Sequence, residues 1–530
     1  MPKFIKAAVA AALIAMPAMG LAQVCQSPLM AHKIKNEALN RSQIDSLTSY
    51  MTDLMGPRLE SSRLKLRAER LMMDKLRAMG FDNVRAEYAW KFNKGGWDNE
   101  RTYVAMTQPY YCAFFANPKA WSGSTKGQVR AQCVLLQAAD TADLAKYRGK
   151  LSDKILIRPI SRTYKPDYEP LAERYDQDDL DAMAMDTRLE RYRGYKRDAA
   201  AELLRKAIDS LIRTERPIAV IEGRGNYNIP PSTYVRYDVG DAEPVPEIIL
   251  PVEAHGRMAR LLAAGHPVEM ELDVRNTFTP NQDVNNIIAE IPGTDPKLKN
   301  EIVMLGGHLD SWHGGTGASD NATGAMVMIE AMRVLKQIGA KPRRTIRLAL
   351  WGGEEVGHYG SHGYADKYLR DPKTKKNLPG YEQFALYLNS DFGTGLFRGI
   401  FLEENDMARP FFETWMKPLA PLGFTAIAPG IVKQTDHETF SEIGLPAFHF
   451  MQEPIDYYRF YHTPMDTYEH MELDDLRKNA AIVAWLAYCA AQDPARIPPN
   501  PPLSPHLSST PPRGRSDRAS LHQSHPMPTM

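Results

Sequence analysis

Residues 303–324 read VMLGGHLDSWHGGTGASDNATG, and this stretch joins a short apolar run to the start of a longer one. Residues 303–306 fit a buried strand, and residues 322–338 carry apolar side chains at helical spacing. His308 and Asp310 follow the strand at positions i and i+2, which places both side chains on one side of an extended chain. One of them can bind a metal ion while the other orients it. A strand, a polar turn and a helix in this order predict an α/β sheet with reactive groups at a strand end.

Strands and helices keep alternating up to about residue 490. Further strands are predicted at residues 346–351, 385–388 and 447–451, and further helices at residues 361–369, 407–419 and 474–490. Closer to the N-terminus, residues 44–79 fit two helices joined by a turn at Gly56-Pro57-Arg58-Leu59, and residues 84–88 fit a strand. We therefore expect an α/β sheet with helices on both faces.

Acidic residues recur where predicted strands end or helices begin. Asp320 opens the helix at residues 322–338, so its ordinary role would be that of an N-cap. Glu354 and Glu355 follow a strand and two glycines, at the position where open α/β sheets bind ligands. Because adjacent side chains of an extended chain point to opposite sides, one carboxylate can bind a metal while the other faces the substrate as a general base.

Asp391 and His462 complete the candidate set. Asp391 ends a predicted strand, and His462 lies in the segment Tyr461-His462-Thr463-Pro464. Each residue taken alone fits an exposed turn equally well. With His308, Asp320 and Glu355 they give two histidines and three carboxylates, which suit a pair of zinc ions. The chain contains neither a Gly-x-Ser-x-Gly elbow nor a His-Glu-x-x-His helix, so a serine nucleophile has no support.

Residues 285–490 resemble the catalytic domain of the zinc aminopeptidase and carboxypeptidase Q family. The motifs that carry the resemblance are Gly306-Gly307-His308-Leu309-Asp310-Ser311-Trp312, Asp320-Asn321-Ala322-Thr323-Gly324, Glu354-Glu355 and Tyr461-His462-Thr463. The resemblance implies a mixed-sheet zinc-exopeptidase fold of the phosphorylase/hydrolase-like type, built as a three-layer sandwich. The implied activity is the hydrolysis of peptide bonds at the end of peptides.

The resemblance also implies roles for the candidate residues. It implies two zinc ions per chain, with His308 and Asp391 on one ion, Glu355 and His462 on the other, and Asp320 bridging both. Glu354 would be the general base, and Asp310 would orient His308. Asp436 and His437 match a substrate-pocket segment of the family, although a loop that caps the helix at residues 438–443 is the alternative.

Residues 119–278 resemble a protease-associated domain, an insertion found in several exopeptidases. The resemblance rests on residues 127–139, on residues 149–155 and on residues 246–249 with the amphipathic helix that follows. We predict residues 23–118 as the N-terminal part of the catalytic domain, 119–278 as a β-rich insertion and 279–492 as the main catalytic domain. The charged run at residues 167–206 has helical propensity and fits a solvated face or a lid-like excursion.

The bulk composition excludes several classes of protein. The 530 residues include 65 Lys and Arg against 64 Asp and Glu, a net charge of +1, so no overall field attracts nucleic acid. The hydrophobic share of 43% is typical of soluble globular chains. After the first 22 residues no stretch approaches the roughly 20 apolar residues of a membrane helix, so stable membrane insertion is not expected. The oligomeric state is left open, a homodimer included.

Both termini and the cysteines carry further expectations. Residues 1–22 fit a secretory signal, which predicts an exported protein, periplasmic or secreted. Cys25 lies too far beyond the small residues to carry a lipid anchor. Because disulfides persist after export, we prefer a pair between Cys112 and Cys133, although spacing alone cannot assign it. Residues 493–530 are rich in Pro, Ser and Arg and are predicted to be disordered.

Two other classes of protein use a related scaffold. A binding protein without catalysis would have lost metal ligands, yet all five ligands and Glu354 are present. A glutaminyl cyclase would use one zinc ion and would lack the inserted domain. Within the peptidases it stays open whether the enzyme is an aminopeptidase or a dipeptidase. Aminopeptidase is the preferred interpretation, while the motif Gly-Gly-His-Leu-Asp-Ser-Trp favours a carboxypeptidase Q-like dipeptidase.

Overall fold

The protein is described by a computed structural model over residues 27–160, 163–166, 168, 170–186 and 198–499. The predicted signal at residues 1–22 lies outside the described residues, and so does the predicted tail from residue 500 onward. Among the described helices, none has the length and apolar character that a membrane span requires.

Sixteen strands and thirteen α-helices form the described part of the chain. The strands are β1 (Asp82–Lys91), β2 (Gly96–Gln108), β3 (Cys112–Ala113), β4 (Asn117–Pro118), β5 (Val129–Leu135), β6 (Ile155–Ile157), β7 (Ala219–Gly223), β8 (Glu247–Leu250), β9 (Glu269–Thr279), β10 (Asp283–Ile291), β11 (Ile302–His308), β12 (Thr345–Trp351), β13 (Phe384–Asn389), β14 (Phe397–Phe401), β15 (Ala426–Ala428) and β16 (Ala447–Gln452). The helices are α1 (Pro28–Asn40), α2 (Ile44–Ser49), α3 (Arg63–Ala78), α4 (Gln177–Met185), α5 (Ala199–Glu215), α6 (Val252–Ala263), α7 (Thr323–Gln337), α8 (Tyr359–Tyr368), α9 (Pro379–Gln383), α10 (Arg409–Trp415), α11 (His437–Ser441), α12 (Tyr457–Phe460) and α13 (Leu473–Gln492).

The first sheet is mixed and has eight strands in the order β1-β10-β12-β11-β13-β16-β14-β15. Its centre, from β12 through β11 and β13 to β16, is parallel. The pairs β1–β10, β10–β12 and β14–β16 are antiparallel. The predicted mixed α/β fold is therefore confirmed, and the carboxyl ends of the central strands meet at one edge of the sheet.

Helices cover both faces of this sheet because its central strands are apolar on both sides. Val303 and Leu305 of β11 pack with residues of α1, α7 and α13 in one core. Ile302 and Met304 of the same strand pack with α8 and with Phe440 of α11 in another. Successive strand residues point to opposite faces, so an unbroken apolar run needs a helix layer on each side. The result is the three-layer arrangement that was expected.

A second eight-stranded sheet, in the order β3-β2-β9-β5-β6-β7-β8-β4, lies within residues 96–279. We call residues 96–279 the second-sheet region. Helix α6 packs on one face of it through Ala254 and Met258, and α5 packs on the other through Ile208 and Ile212. The sheet includes β2, β3 and β4, which precede the boundary predicted at residue 119. The assignment of this region to a protease-associated domain stays a prediction.

The predicted disulfide between Cys112 and Cys133 is wrong, because both residues are free thiols. Cys112 lies in β3 and Cys133 in β5, and strands β2 and β9 separate them in the sheet. Neighbouring strands are about 4.8 Å apart, so the two residues are roughly 14 Å from one another, whereas a disulfide needs Cα atoms within about 7 Å. Cys489 is disulfide-bonded, to a partner outside the described residues.

A buried lysine ties helix α3 to the first sheet. Lys65 is fully buried, and its Nζ lies 2.6 Å from Glu69 Oε1 and 3.3 Å from Glu60 Oε2. The ammonium also approaches the backbone oxygen of Asn285 in β10 at 3.5 Å. Because two buried carboxylates share this one cation, its removal would leave both of them without a counter-charge.

We therefore expect Lys65→Met to destabilise the protein by about 3–5 kcal/mol, the range for breaking a buried ion pair from one side. A thermal scan followed by circular dichroism should show a fall in Tm of several degrees. Arg70→Met, at an exposed position of the same helix, serves as the control and should leave Tm within about one degree. Equal Tm values for both variants would contradict the role of Lys65.

Candidate metal centre

The candidate residues meet at the carboxyl edge of the first sheet. His308 is the last residue of β11, and Asp391 follows β13 by two residues. Glu354 and Glu355 follow β12, Asp320 precedes α7, and His462 follows α12. Neighbouring parallel strands bring these separate segments to one place, and the five residues proposed as ligands lie together there.

Two groups of three side chains share one carboxylate. In the first, His308 Nε2 lies 3.1 Å from Asp320 Oδ1 and 3.0 Å from Asp391 Oδ1. In the second, His462 Nε2 lies 2.9 Å from Asp320 Oδ2 and 3.0 Å from Glu355 Oε2. In each group the ligand atoms all lie within 4.8 Å of one another. Asp320 thus directs one oxygen at each histidine.

The donor set fits divalent cations of the zinc type. Both oxygens of Glu355 are buried, Oε1 has no hydrogen-bond partner among the described residues and Oε2 faces His462 Nε2, and the side chain is only 2% exposed. Burial and the nearby charge of Asp320 raise the pKa of Glu355 to about 7. A buried carboxylate without donors is costly, and a cation beside it removes that cost. Imidazole and carboxylate groups are ligands that zinc accepts.

Asp466 fixes the turn that carries Asp320. Its Oδ1 accepts hydrogen bonds from the backbone N of Ser319 at 2.6 Å and from the Ser319 hydroxyl at 2.8 Å, and its Oδ2 accepts one from the backbone N of Asp320 at 3.2 Å. After this turn, Gly324 leaves no room for a side chain, because a Cβ would lie 2.2 Å from Asn321 Oδ1. Our sequence analysis gave Asp466 no role, although it lies four residues after His462.

The buried side chain of Arg58 stabilises the loop between His308 and Asp320. Its side chain is fully buried and donates to the backbone oxygens of Leu309 at 2.7 Å, Thr316 at 2.6 Å and Gly317 at 3.0 Å. Burial lowers the pKa of Arg58 to about 10, which still leaves it charged at neutral pH. The sequence marked only the turn that contains Arg58, since its partners are about 250 residues away.

Asp310, the residue predicted to orient His308, contacts it mainly through its backbone oxygen. His308 Nδ1 lies 3.0 Å from the backbone oxygen of Asp310 and 3.6 Å from Asp310 Oδ1. A carbonyl oxygen can only accept, so Nδ1 carries the proton and Nε2 is left for a ligand. The Asp310 carboxylate instead accepts the backbone N–H groups of Glu354 and Glu355, each at 3.2 Å.

Glu354 is buried beside the two groups without belonging to either. Its Oε2 lies 4.0 Å from His308 Nε2, and its Oε1 lies 3.1 Å from His358 Nε2. Burial, together with the charge of Asp391, raises the pKa of Glu354 to about 7. A carboxylate with a pKa in this range can exchange a proton at neutral pH. His358, to which no role was assigned above, therefore contacts the candidate general base.

Asp436 and His437 lie behind the metal centre. Both are fully buried at the start of α11, and His437 Nε2 is 3.2 Å from Glu403 Oε1. Burial and the charge of Glu354 hold the pKa of Asp436 well above its usual range. Neither residue lines the cavity, whereas their neighbours Gln434 and Glu438 do. Their substrate-binding role stays a prediction.

A cavity of about 1210 Å³ opens beside the metal centre. Glu354, Glu355 and His462 form part of its wall. Segment 224–234 of the second-sheet region forms another part, through residues that include Arg224, Tyr227, Ser232 and Tyr234. The backbone N of Ser232 donates to the backbone oxygen of His462 at 2.6 Å, so the two parts are in direct contact.

The mixed sheet, the buried cluster of two imidazoles and three carboxylates, and the adjoining cavity define a metal-dependent hydrolase. Residues 286–487 match Peptidase family M28, so the chain carries a domain of that family. It is a zinc metallopeptidase that acts as an exopeptidase on peptide substrates.

Relatives and solved structures agree with this assignment. Carboxypeptidase Q from Bos taurus is 26% identical over 468 residues, which cover 88% of each chain. Carboxypeptidase Q from Homo sapiens is 25% identical over 467 residues, which also cover 88% of each chain. The fold matches that of a peptidase M28 precursor from Shewanella amazonensis SB2B, with a TM-score of 0.63 and 24% identity over 89% of this chain and 98% of the other. It also matches a zinc aminopeptidase from Bacillus subtilis, with a TM-score of 0.53 and 18% identity over 86% and 96%.

We expect Asp310→Asn to lower zinc affinity and kcat/KM by about 10- to 100-fold, as losses of groups that support metal ligands do. An asparagine keeps the size but presents an NH₂ group to one of the two backbone N–H donors. Zinc retained after equilibrium dialysis is the measurement, with Asp406→Asn as the control, because the Asp406 side chain is 78% exposed. Unchanged zinc retention in Asp310→Asn would count against its role.

Proposed function

We propose that the protein is an exported aminopeptidase with two zinc ions per chain. The observation that carries the proposal is the position of Asp320, whose two oxygens face two different histidines at 3.1 and 2.9 Å. A single ion would need only one of these groups. The proposed ligands are His308 and Asp391 on one ion, Glu355 and His462 on the other, and Asp320 on both.

The residues of the chain divide the reaction between them. When bound, the two zinc ions supply Lewis acidity that polarises the scissile carbonyl and acidifies a water molecule. Glu354 accepts the proton of that water at its carboxylate and passes it to the nitrogen of the leaving amine. Asp310 holds the backbone of Glu354 and Glu355, and His358 keeps Glu354 in place. No covalent intermediate with a side chain is needed.

The charges around the metal centre favour recognition of a free amine. Glu354, Glu355 and Glu438 all line the cavity, so a terminal ammonium group that enters it meets carboxylates. The second candidate is a dipeptidase, which the similarity to proteins named carboxypeptidase Q favours. Both candidates use the same metal centre and the same general base, and they differ in which end of the substrate they require to be free.

Export is supported by the chemistry of Cys489. This residue is disulfide-bonded, and disulfides persist in oxidising compartments outside the cytoplasm. The basic start and apolar run within residues 1–22 point the same way. The proposed compartment is the periplasm or the medium.

Two adjacent glutamates offer a matched pair of variants. We expect Glu354→Gln to keep zinc bound while kcat falls by at least about 100-fold, the usual contribution of a general base. Glu355→Gln should instead lose zinc, because it removes one proposed ligand. Metal analysis of both purified variants separates the roles. Loss of zinc in Glu354→Gln, or near-normal turnover, would contradict the assignment.

The zinc content of the purified protein and a panel of three substrates test the function itself. The substrates are a free-amine Leu-anilide, its N-acetylated form and a free Leu-Gly dipeptide. We expect two zinc ions per chain and cleavage of the Leu-anilide but not of its acetylated form. Cleavage of the dipeptide alone would favour the dipeptidase. One zinc ion in the fully active enzyme would refute the two-ion centre.

A further inference from the structure

The cavity beside the metal centre is also lined by a lysine, Lys94, that takes no part in the proposed reaction. Lys94 lies in the turn between β1 and β2, where the chain passes from the first sheet to the second. It lines the same cavity as Glu354, Glu355 and His462. The cavity therefore carries carboxylates at the metal centre and a cation on its wall. A ligand with both charges would match this arrangement.

The ammonium group of Lys94 is held in place by its surroundings. Its Nζ lies 5.6 Å from the ring centroid of Trp121 and 5.3 Å from that of Tyr234, and it donates a hydrogen bond to the backbone oxygen of Tyr237 at 3.2 Å. Aromatic faces attract cations, and one donated bond leaves two N–H groups for a ligand. Burial lowers the pKa of Lys94, because water is partly excluded from it. An anion would replace the lost hydration.

Two arginines also line the cavity, but both have partners in the fold. Arg224 Nε lies 2.5 Å from Glu222 Oε1. Arg459 donates to the backbone oxygens of Leu171 and Pro170 at 3.1 and 3.0 Å. Lys94, by contrast, forms no ion pair with a carboxylate of the described residues. It is therefore the side chain best placed to receive an anionic group from a substrate.

A row of aromatic rings connects the metal centre with Lys94. The ring of Trp312 lies 5.9 Å from that of His462, and Tyr234 stacks on Trp312 at 6.1 Å with an angle of 12°. Lys94 Nζ lies above the same Tyr234 ring. An extended peptide advances about 3.5 Å per residue, so this row corresponds to at most about five residues. Only a short peptide can place its C-terminus there while its N-terminus is at the metal centre.

We propose that Lys94 binds the C-terminal carboxylate of short peptides whose first residue lies at the metal centre. The inference rests on the proposed aminopeptidase function and names its substrate class, which is unblocked peptides of two to five residues. The aromatic row supplies apolar contacts to the substrate between its charged ends. Lys94 makes and breaks no bond, so it acts on substrate binding, and its loss raises KM more than it lowers kcat.

The test compares peptides that differ only at the C-terminus. With the zinc-loaded enzyme, Leu-Gly-Gly should have a kcat/KM roughly tenfold above that of Leu-Gly-Gly-NH₂, the usual effect of one hydrogen bond to a charged group. Lys94→Met should remove this ratio through a higher KM for the free acid alone, and Lys94→Arg should keep most of it. Lys91→Met, at an exposed position at the end of β1, is the matched control and should behave as the wild type. An eight-residue peptide with the same first residue should show no preference for the free acid.

Three results would overturn the inference. They are a wild-type ratio near one, equal losses on acid and amide in Lys94→Met, and an acid preference that persists in that variant. The peptide Leu-Gly-Glu-NH₂ tests a carboxylate from a side chain, and a gain there without one for Leu-Gly-Gly would refute the C-terminal assignment. Leu-anilide separates the two proposals: a wild type that does not cleave it refutes the aminopeptidase, whereas cleavage without acid preference refutes only the role of Lys94.

Discussion

The arrangement of the catalytic edge depends on keeping three carboxylates together in a buried place. Asp320, Asp391 and Glu355 lie within about 3 Å of an imidazole nitrogen each, and their side chains are almost fully buried. Like charges at such distances repel strongly where the dielectric constant is low. A bound cation would balance this charge, and rigid backbone fixes the directions of the three side chains. The surrounding contacts hold the three carboxylates in place against this repulsion.

These contacts act mostly through the backbone. Asp310 accepts two N–H groups of the segment after β12, Asp466 accepts two N–H groups of the turn before α7, and Arg58 donates to three carbonyls of the loop between β11 and that turn. Fixing a backbone leaves the ligand side chains few rotamers to search, so less entropy is lost when a metal ion binds. It also explains why residues that touch no ion, one of them in the N-terminal part of the chain, are essential to the geometry.

The sequence predicts the central strands and the five ligand positions because both depend on short segments. A short apolar run followed by glycines, such as that of β11, fits a buried strand, and its end carries His308. Strand β2 was not predicted because its charged residues are not typical of a strand. In the structure Arg101 Nε forms an ion pair with Asp273 Oδ2 of β9 at 2.7 Å, which balances the charge. Arg58 and Asp466 were given no role for the same reason, since their partners are distant in the chain. The cysteine pair failed because strand order, which separates Cys112 from Cys133, is not local information.

The two sheets contribute different parts of the site. The proposed metal ligands and Glu354 lie at strand ends and loops of the part of the chain that forms the first sheet, while Trp121 and residues of segment 224–234 bring the second-sheet region to the cavity wall. Chemistry at the metal centre depends on positions set by parallel strands, which tolerate little change. The part of the wall that the second-sheet region provides is built from loops and turns, where substitutions cost little stability. Substitutions there can therefore reshape the cavity while the residues of the candidate metal centre keep their positions.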